Sequence, residues 1–278
     1  MAFFLNLGFS VIEFIGGLLT NSTAIMADAV HDLGDALSIG LAWMASKLSD
    51  KPANQHFTYG FKRLSLLSAV LNAIVLIGGT LWVLSEAIPR LWAPEMPHAA
   101  GMFALSLLGI GVNGYAAWKL HGGKTQNEKI LNWHLLEDMF GWVAVLIVSL
   151  VMMVVEWPIL DPILAIGFSL FILVNVLRHT YTSLGLFLQR TPDPELLEEI
   201  RHTLLGIDAV TGAHHLHLWS LDGEKHVLTV HLVSQQPLSA RQYQQLKNEV
   251  SEKLSVFELA HTTIEIELPE EACRDLSH

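Results

Sequence analysis

The chain has a single cysteine, Cys273, among 278 residues. No internal disulfide can form, and such thiol usage suits a reducing compartment. Charge is also scarce. Only 15% of residues are Asp, Glu, Lys or Arg, whereas 51% are hydrophobic, too apolar a balance for an ordinary soluble domain. Positive charge is scarcer still, with 16 Lys and Arg against 27 Asp and Glu for a net charge of −11. No basic stripe is present, which excludes nucleic acid as a partner. The chain has no H-E-x-x-H and no nucleophile motif, so nothing marks a hydrolase. The first apolar helix lacks the basic flank of a secretory signal peptide and is read as a span.

What is present is long apolar runs. About 20 apolar residues cross a bilayer as a helix, and six segments qualify, near 3–20, 24–46, 62–89, 101–121, 131–155 and 159–186. The linkers "KLSDKPANQHFTYGFKR" and "KLHGGKTQNEK" carry Lys47, Lys51, Lys62, Arg63, Lys119, Lys124 and Lys129, and Arg178 lies near the end of the sixth segment. The loops on the other side offer only Arg90. The positive-inside rule therefore places both termini in the cytoplasm. Residues 1–188 read as a six-helix transmembrane domain and 189–278 as a cytoplasmic one.

The second region has a different texture. Asp193 before "PELLEE" predicts a helix N-cap, as does Ser239 before "ARQYQQLKNEVSEKL". "AHHLHLWSLDGEKHVLTVHLV" alternates on both sides of "DGEK", a hairpin signature, and "HTTIEIELP" is a last strand. The order α-β-β-α-β predicts an α+β domain with two helices on one face of a small sheet.

"MADAVHDLGDALSIGLAW" (residues 26–43) places Asp28, His31, Asp32 and Asp35 in an apolar helix, where an Asp at the centre costs on the order of 2.5–3.5 kcal/mol. His31 and Asp35 are four apart and share one helix face. Asp28 lies on that face, while Asp32 is rotated by about a quarter turn. "NWHLLEDMFGW" repeats the pattern with His134 and Asp138, and Glu137 falls off the His134 face. Two helices each offering an imidazole and a carboxylate can close a tetrahedral N2O2 shell around Zn2+. The bland alternative for one such residue is an interhelical hydrogen bond, but two copies at matching depth favour a metal site. Asp28 reads as a supporting or entry-path group rather than a ligand. Glu13 either assists a pathway or pairs with a neighbour, and Asn72 and Asn113 read as interhelical hydrogen bonders.

The segments "NSTAIMADAVHDLGD", "FTYGFKRLSLLSAVLNA", "HLLEDMFGW" and "AHHLHLWSL…HTTIEIE" resemble the cation diffusion facilitators, in particular their zinc-transporting branch. The resemblance covers nearly the whole chain. It implies a homodimeric, six-helix metal/H+ antiporter of the bacterial cell membrane with a ferredoxin-like cytoplasmic domain. The family's transport ligands fall on His31, Asp35, His134 and Asp138. Its cytoplasmic metal positions fall on His214, His231 and Glu267, with Glu265 as a further candidate. Glu265 and Glu267 share a strand face. His215 and His217 have the other parity from His214, so all three reach one site only through a bulge. His226 and His261 read as surface histidines. Two departures from the family pattern stand out. The loop after the second span offers His56 alone where an auxiliary metal site is common, and the loop after the fourth offers only His121.

Three functions remain open at this point. The first is a zinc/proton antiporter, in which Zn2+ is cargo and possible regulator. The second is a membrane metalloenzyme, and the third is a membrane-anchored zinc sensor.

Overall fold

The computed structural model describes residues 2–49, 51–120 and 126–273. The loop at 121–125, and with it the reading placed on His121, lies outside the described residues. Six long helices come first in the chain: α1 (Ala2–Thr20), α2 (Thr23–Ser49), α3 (Leu64–Ala87), α4 (Ala99–Leu120), α5 (Gln126–Val155) and α6 (Leu160–Phe187). Five of them, α1 and α3 to α6, are long and apolar enough to cross a membrane. Their outward faces carry large apolar side chains such as Leu19, Leu81, Val154 and Phe171, as a lipid-facing surface requires. α2 falls short of that apolarity because its middle holds Asp28, Asp32 and Asp35.

The chain divides into two compact units, Met1–Trp43 with Leu71–Thr180, and Met44–Val70 with Tyr181–His278. In the first unit a buried core joins Ile25 and Val30 of α2 to Val83, Met102, Trp142 and Val145. Trp142 packs directly on Gly109, where a Cβ would come within 2.2 Å of the indole. That position needs glycine because α4 and α5 approach closely there.

The start of α2 is anchored by α6. Ser22 caps the helix by accepting from the Ile25 N–H at 3.2 Å. The buried Asp161 carboxylate accepts from the Thr23 N–H at 2.7 Å, the Ala24 N–H at 3.3 Å and both hydroxyls, Ser22 Oγ at 2.5 Å and Thr23 Oγ1 at 2.7 Å. An anion thus meets the otherwise unpaired N–H groups of a helix start, where the dipole favours it. The preceding turn places Asn21 at φ 55°, and Arg90 donates to both its carbonyl and its side-chain oxygen at 2.8 Å. α2 is thereby fixed in height two turns before His31.

In the second unit α7 (Pro194–Leu205) starts at an Asp193 cap. α8 (Ala240–Leu254) starts at a Ser239 capping box with Gln242. β1 (Val210–Ser220), β2 (His226–Ser234) and β3 (Leu259–Glu267) form one sheet in that order. β1 and β2 are antiparallel, and β2 and β3 are parallel across the α8 connection. Leu228, Val230 and Leu232 face Ile200, Leu204, Leu246 and Val250 of the two helices. By strand alternation, His231 points to the opposite face.

Candidate metal centres

His31 and Asp35 on α2 and His134 and Asp138 on α5 meet between the helices of the first unit. One ligand atom from each lies within 4.8 Å of all the others. His134 Nε2 is 2.9 Å from Asp35 Oδ2 and 3.8 Å from Asp138 Oδ2. His31 Nε2 is 3.6 Å from Asp35 Oδ2 and 3.8 Å from Asp138 Oδ1. A tetrahedral zinc with bonds near 2.0–2.1 Å has ligand-to-ligand edges of about 3.3 Å, and the imidazole-to-carboxylate separations here, two of them to different Asp138 oxygens, bracket that length. His134 Nε2 pairs with Asp35 Oδ2, whereas Asp138 Oδ1 meets no hydrogen-bond donor. Lone pairs converging on one point are what a cation requires, and a buried unpaired carboxylate oxygen is otherwise costly.

A cavity of about 280 Å³ adjoins the cluster, lined by Asp28, His31, Asp138, Phe140, Phe168 and Phe171. Asp28 is buried, its Oδ2 without a donor, and it is outside the four-residue group. The Glu13 carboxyl on α1 faces those of Asp32 and Asp28, and neither of its oxygens meets a donor. A hydrogen bond between Glu13 and Asp32 therefore forms only while one of them holds a proton. Asn72 Oδ1 and Asn113 Nδ2 are buried without a partner, so neither of these two atoms makes an interhelical bond.

A second cluster lies on the helix-free face of the sheet in the other unit. His214 of β1 is paired with His231 of β2, which is paired with Glu265 of β3. Glu267 reaches across, with Oε1 2.9 Å from His231 Nδ1 and Oε2 3.1 Å from His214 Nε2. Glu265 approaches the other nitrogen, Oε2 to His231 Nε2, at 3.7 Å. Burial alone would raise the Glu267 carboxyl, but hydrogen bonds from His231 and Cys273, with the nearby His214, outweigh it. The group is held below the ordinary carboxylate range.

Two residues enter here that sequence reasoning set aside. The register slips between His214 and His217, and His215 takes φ 47°. This bulge turns the His215 ring to 5.1 Å from that of His231, so strand parity no longer separates it from His214. Cys273 joins His214, His231 and Glu267 as a metal-sized group. Its position six residues beyond Glu267, and its being the only cysteine, were the available signals. His56 and His261 belong to neither group. His261 stacks edge-on against Tyr59 at 5.1 Å.

Helices long and apolar enough to cross a membrane, around a half-buried cation-sized cluster, fit a membrane carrier of metal ions. Residues 1–188 match the family described as the cation efflux transmembrane domain, and 192–269 match the cation efflux protein cytoplasmic domain. The chain belongs to the cation efflux family. It is 31% identical over 271 residues to a cadmium, cobalt and zinc/H(+)-K(+) antiporter of Bacillus velezensis, covering 96% of this chain and 87% of that protein. It is 32% identical over 271 residues to the zinc transporter ZitB of Escherichia coli, covering 96% and 85%. To the metal cation efflux system protein CzcD of Cupriavidus metallidurans it is 30% identical over 264 residues, covering 94% and 83%.

Proposed function

We propose that this protein exports Zn2+ in exchange for protons by alternating access around His31, Asp35, His134 and Asp138. The observation that carries the reading is the convergence of the four side chains, with imidazole N to carboxylate O separations of 2.9–3.8 Å. Two neutral imidazoles and two carboxylates around Zn2+ sum to zero charge, and so does the empty site holding two protons. Exchange then buries no net charge, and metal entry must displace protons from the ligands. Glu13, Asp28 and Asp32 are further proton-carrying groups beside the site. Zinc is favoured because imidazole suits it and because the relatives' names include it.

In this reading α2 is a sixth span, tolerated in lipid because its carboxylates face the cation. Both termini are cytoplasmic, in a bacterial cell membrane. Residues 1–188 form the transport domain. Residues 189–278 form a ferredoxin-like domain that supports a homodimer and binds regulatory zinc at His214, His231 and Glu267, with Glu265 beside them. The test is reconstitution into liposomes with a proton-sensitive dye inside. Zinc uptake with simultaneous opposite proton movement is expected. Zinc binding without flux would overturn the reading in favour of an anchored sensor, and hydrolysis without flux in favour of an enzyme.

A further inference from the structure

Beyond Glu267 the chain turns back over the open face of the sheet. The turn is held by the Glu271 carboxylate, which accepts from the Leu268 N–H at 2.8 Å. It delivers Cys273 to the histidine cluster, where Sγ lies 3.5 Å from His231 Nδ1. One ligand atom from each of His214, His231, Glu267 and Cys273 falls within 4.8 Å of the rest. The Glu267 side chain is only 5% exposed and that of His231 11%, while His214 at 37% and the half-buried Cys273 form the open side of the group. His214 Nε2 accepts or donates no hydrogen bond there despite lying 3.1 Å from Glu267.

We propose that Cys273 is the fourth ligand of the cytoplasmic metal site, completing a shell of two imidazoles, one carboxylate and one thiolate that ties the C-terminal tail to the metal. The proposal rests on reading the cluster as a metal site and names the residue that closes it. Glu265 then has a different role from Glu267. It faces His231 Nε2, and a carboxylate on the far nitrogen of a ligating imidazole orients the ring and sets its tautomer. On binding, the S–H bond is lost, a sulfur–metal bond forms and the proton leaves to solvent. A thiolate prefers zinc, cadmium and other soft or borderline ions to manganese, magnesium or calcium. The cytoplasmic site is therefore more selective for soft ions than the all-N/O site between the helices. Because the thiolate comes from the tail, bound metal also ties the segment after β3 to the sheet.

The experiment uses the full-length protein carrying Asp138→Ala, which cripples the membrane site, with Co2+ alone as the probe. A near-ultraviolet thiolate-to-cobalt charge-transfer band is expected, and Cys273→Ser should abolish it. Cys273 is the chain's only cysteine, so all iodoacetamide labelling reads this residue. Saturating zinc should block labelling, and His214→Ala should restore it. Cobalt bound in a manner sensitive to His214→Ala, but without the band and with labelling unaffected by zinc, would refute the thiolate ligand and leave the site standing. If the Asp138→Ala protein binds no cobalt with Cys273 intact, the cytoplasmic site itself fails and the proposal with it.

Discussion

Asp35→Asn is the sharpest perturbation of the proposed transport site. Asp35 Oδ2 is the carboxylate oxygen nearest the two imidazoles, 2.9 Å from His134 Nε2 and 3.6 Å from His31 Nε2. Asparagine keeps its shape and one carbonyl oxygen, so packing between α2 and α5 is preserved, but the negative charge is gone. A zinc-filled wild-type shell is neutral, whereas the variant's shell holds an uncompensated positive charge away from water. Two unit charges about 4 Å apart attract by ~4 kcal/mol at an effective dielectric of about 20. At ~1.4 kcal/mol per decade, that is roughly a thousand-fold in zinc affinity. The assay is the initial rate of zinc uptake into proteoliposomes across a wide zinc range, on protein that elutes from size exclusion like wild type. A large rise in half-saturating zinc, or no measurable flux, is expected. Wild-type rate and half-saturation in Asp35→Asn would refute the four-ligand reasoning.

His31→Asp changes an N2O2 shell to NO3 and adds a negative charge, so manganese or cadmium transport should rise relative to zinc; competition flux assays measure the ratio. Asp161→Ala leaves the Thr23 and Ala24 N–H groups unpaired at a buried helix start, at ~1–3 kcal/mol for each group. It should lower the melting temperature of the purified protein and, by loosening α2, reduce flux. Glu267 is held below its ordinary pKa of 4.5 in the folded protein, so the unfolded state binds its proton more readily. Its contribution to the metal-free protein is complete above the unfolded pKa of about 4.3–4.5 and is lost as pH falls through the depressed folded value. Thermal unfolding followed through the acid range should show a shallower decline for Glu267→Gln, and an unchanged slope would argue against the His231–Glu267 bond.

The local features were legible because they are periodic. Four-residue spacing puts His31 with Asp35, and His134 with Asp138, on single helix faces whatever the rest of the chain does. Two-residue spacing likewise puts Glu265 with Glu267, and the Asp193 and Ser239 caps follow from short-range hydrogen bonding. Packing alone decided what lies across an element. That α2 and α5 bring their two pairs to within 2.9–3.8 Å depends on contacts such as Trp142 on Gly109. It depends equally on Asp161 anchoring α2 from a distance of 138 residues, and no local pattern encodes either contact. Strand parity set His215 apart from His214 until a one-residue bulge with a left-handed backbone reversed it. Sequence alone could count Cys273 but could not place it, because only a turn of the chain after the last strand carries the thiol back to His231. Side-chain direction along an element follows from the backbone repeat, whereas proximity between elements is a property of the packed whole.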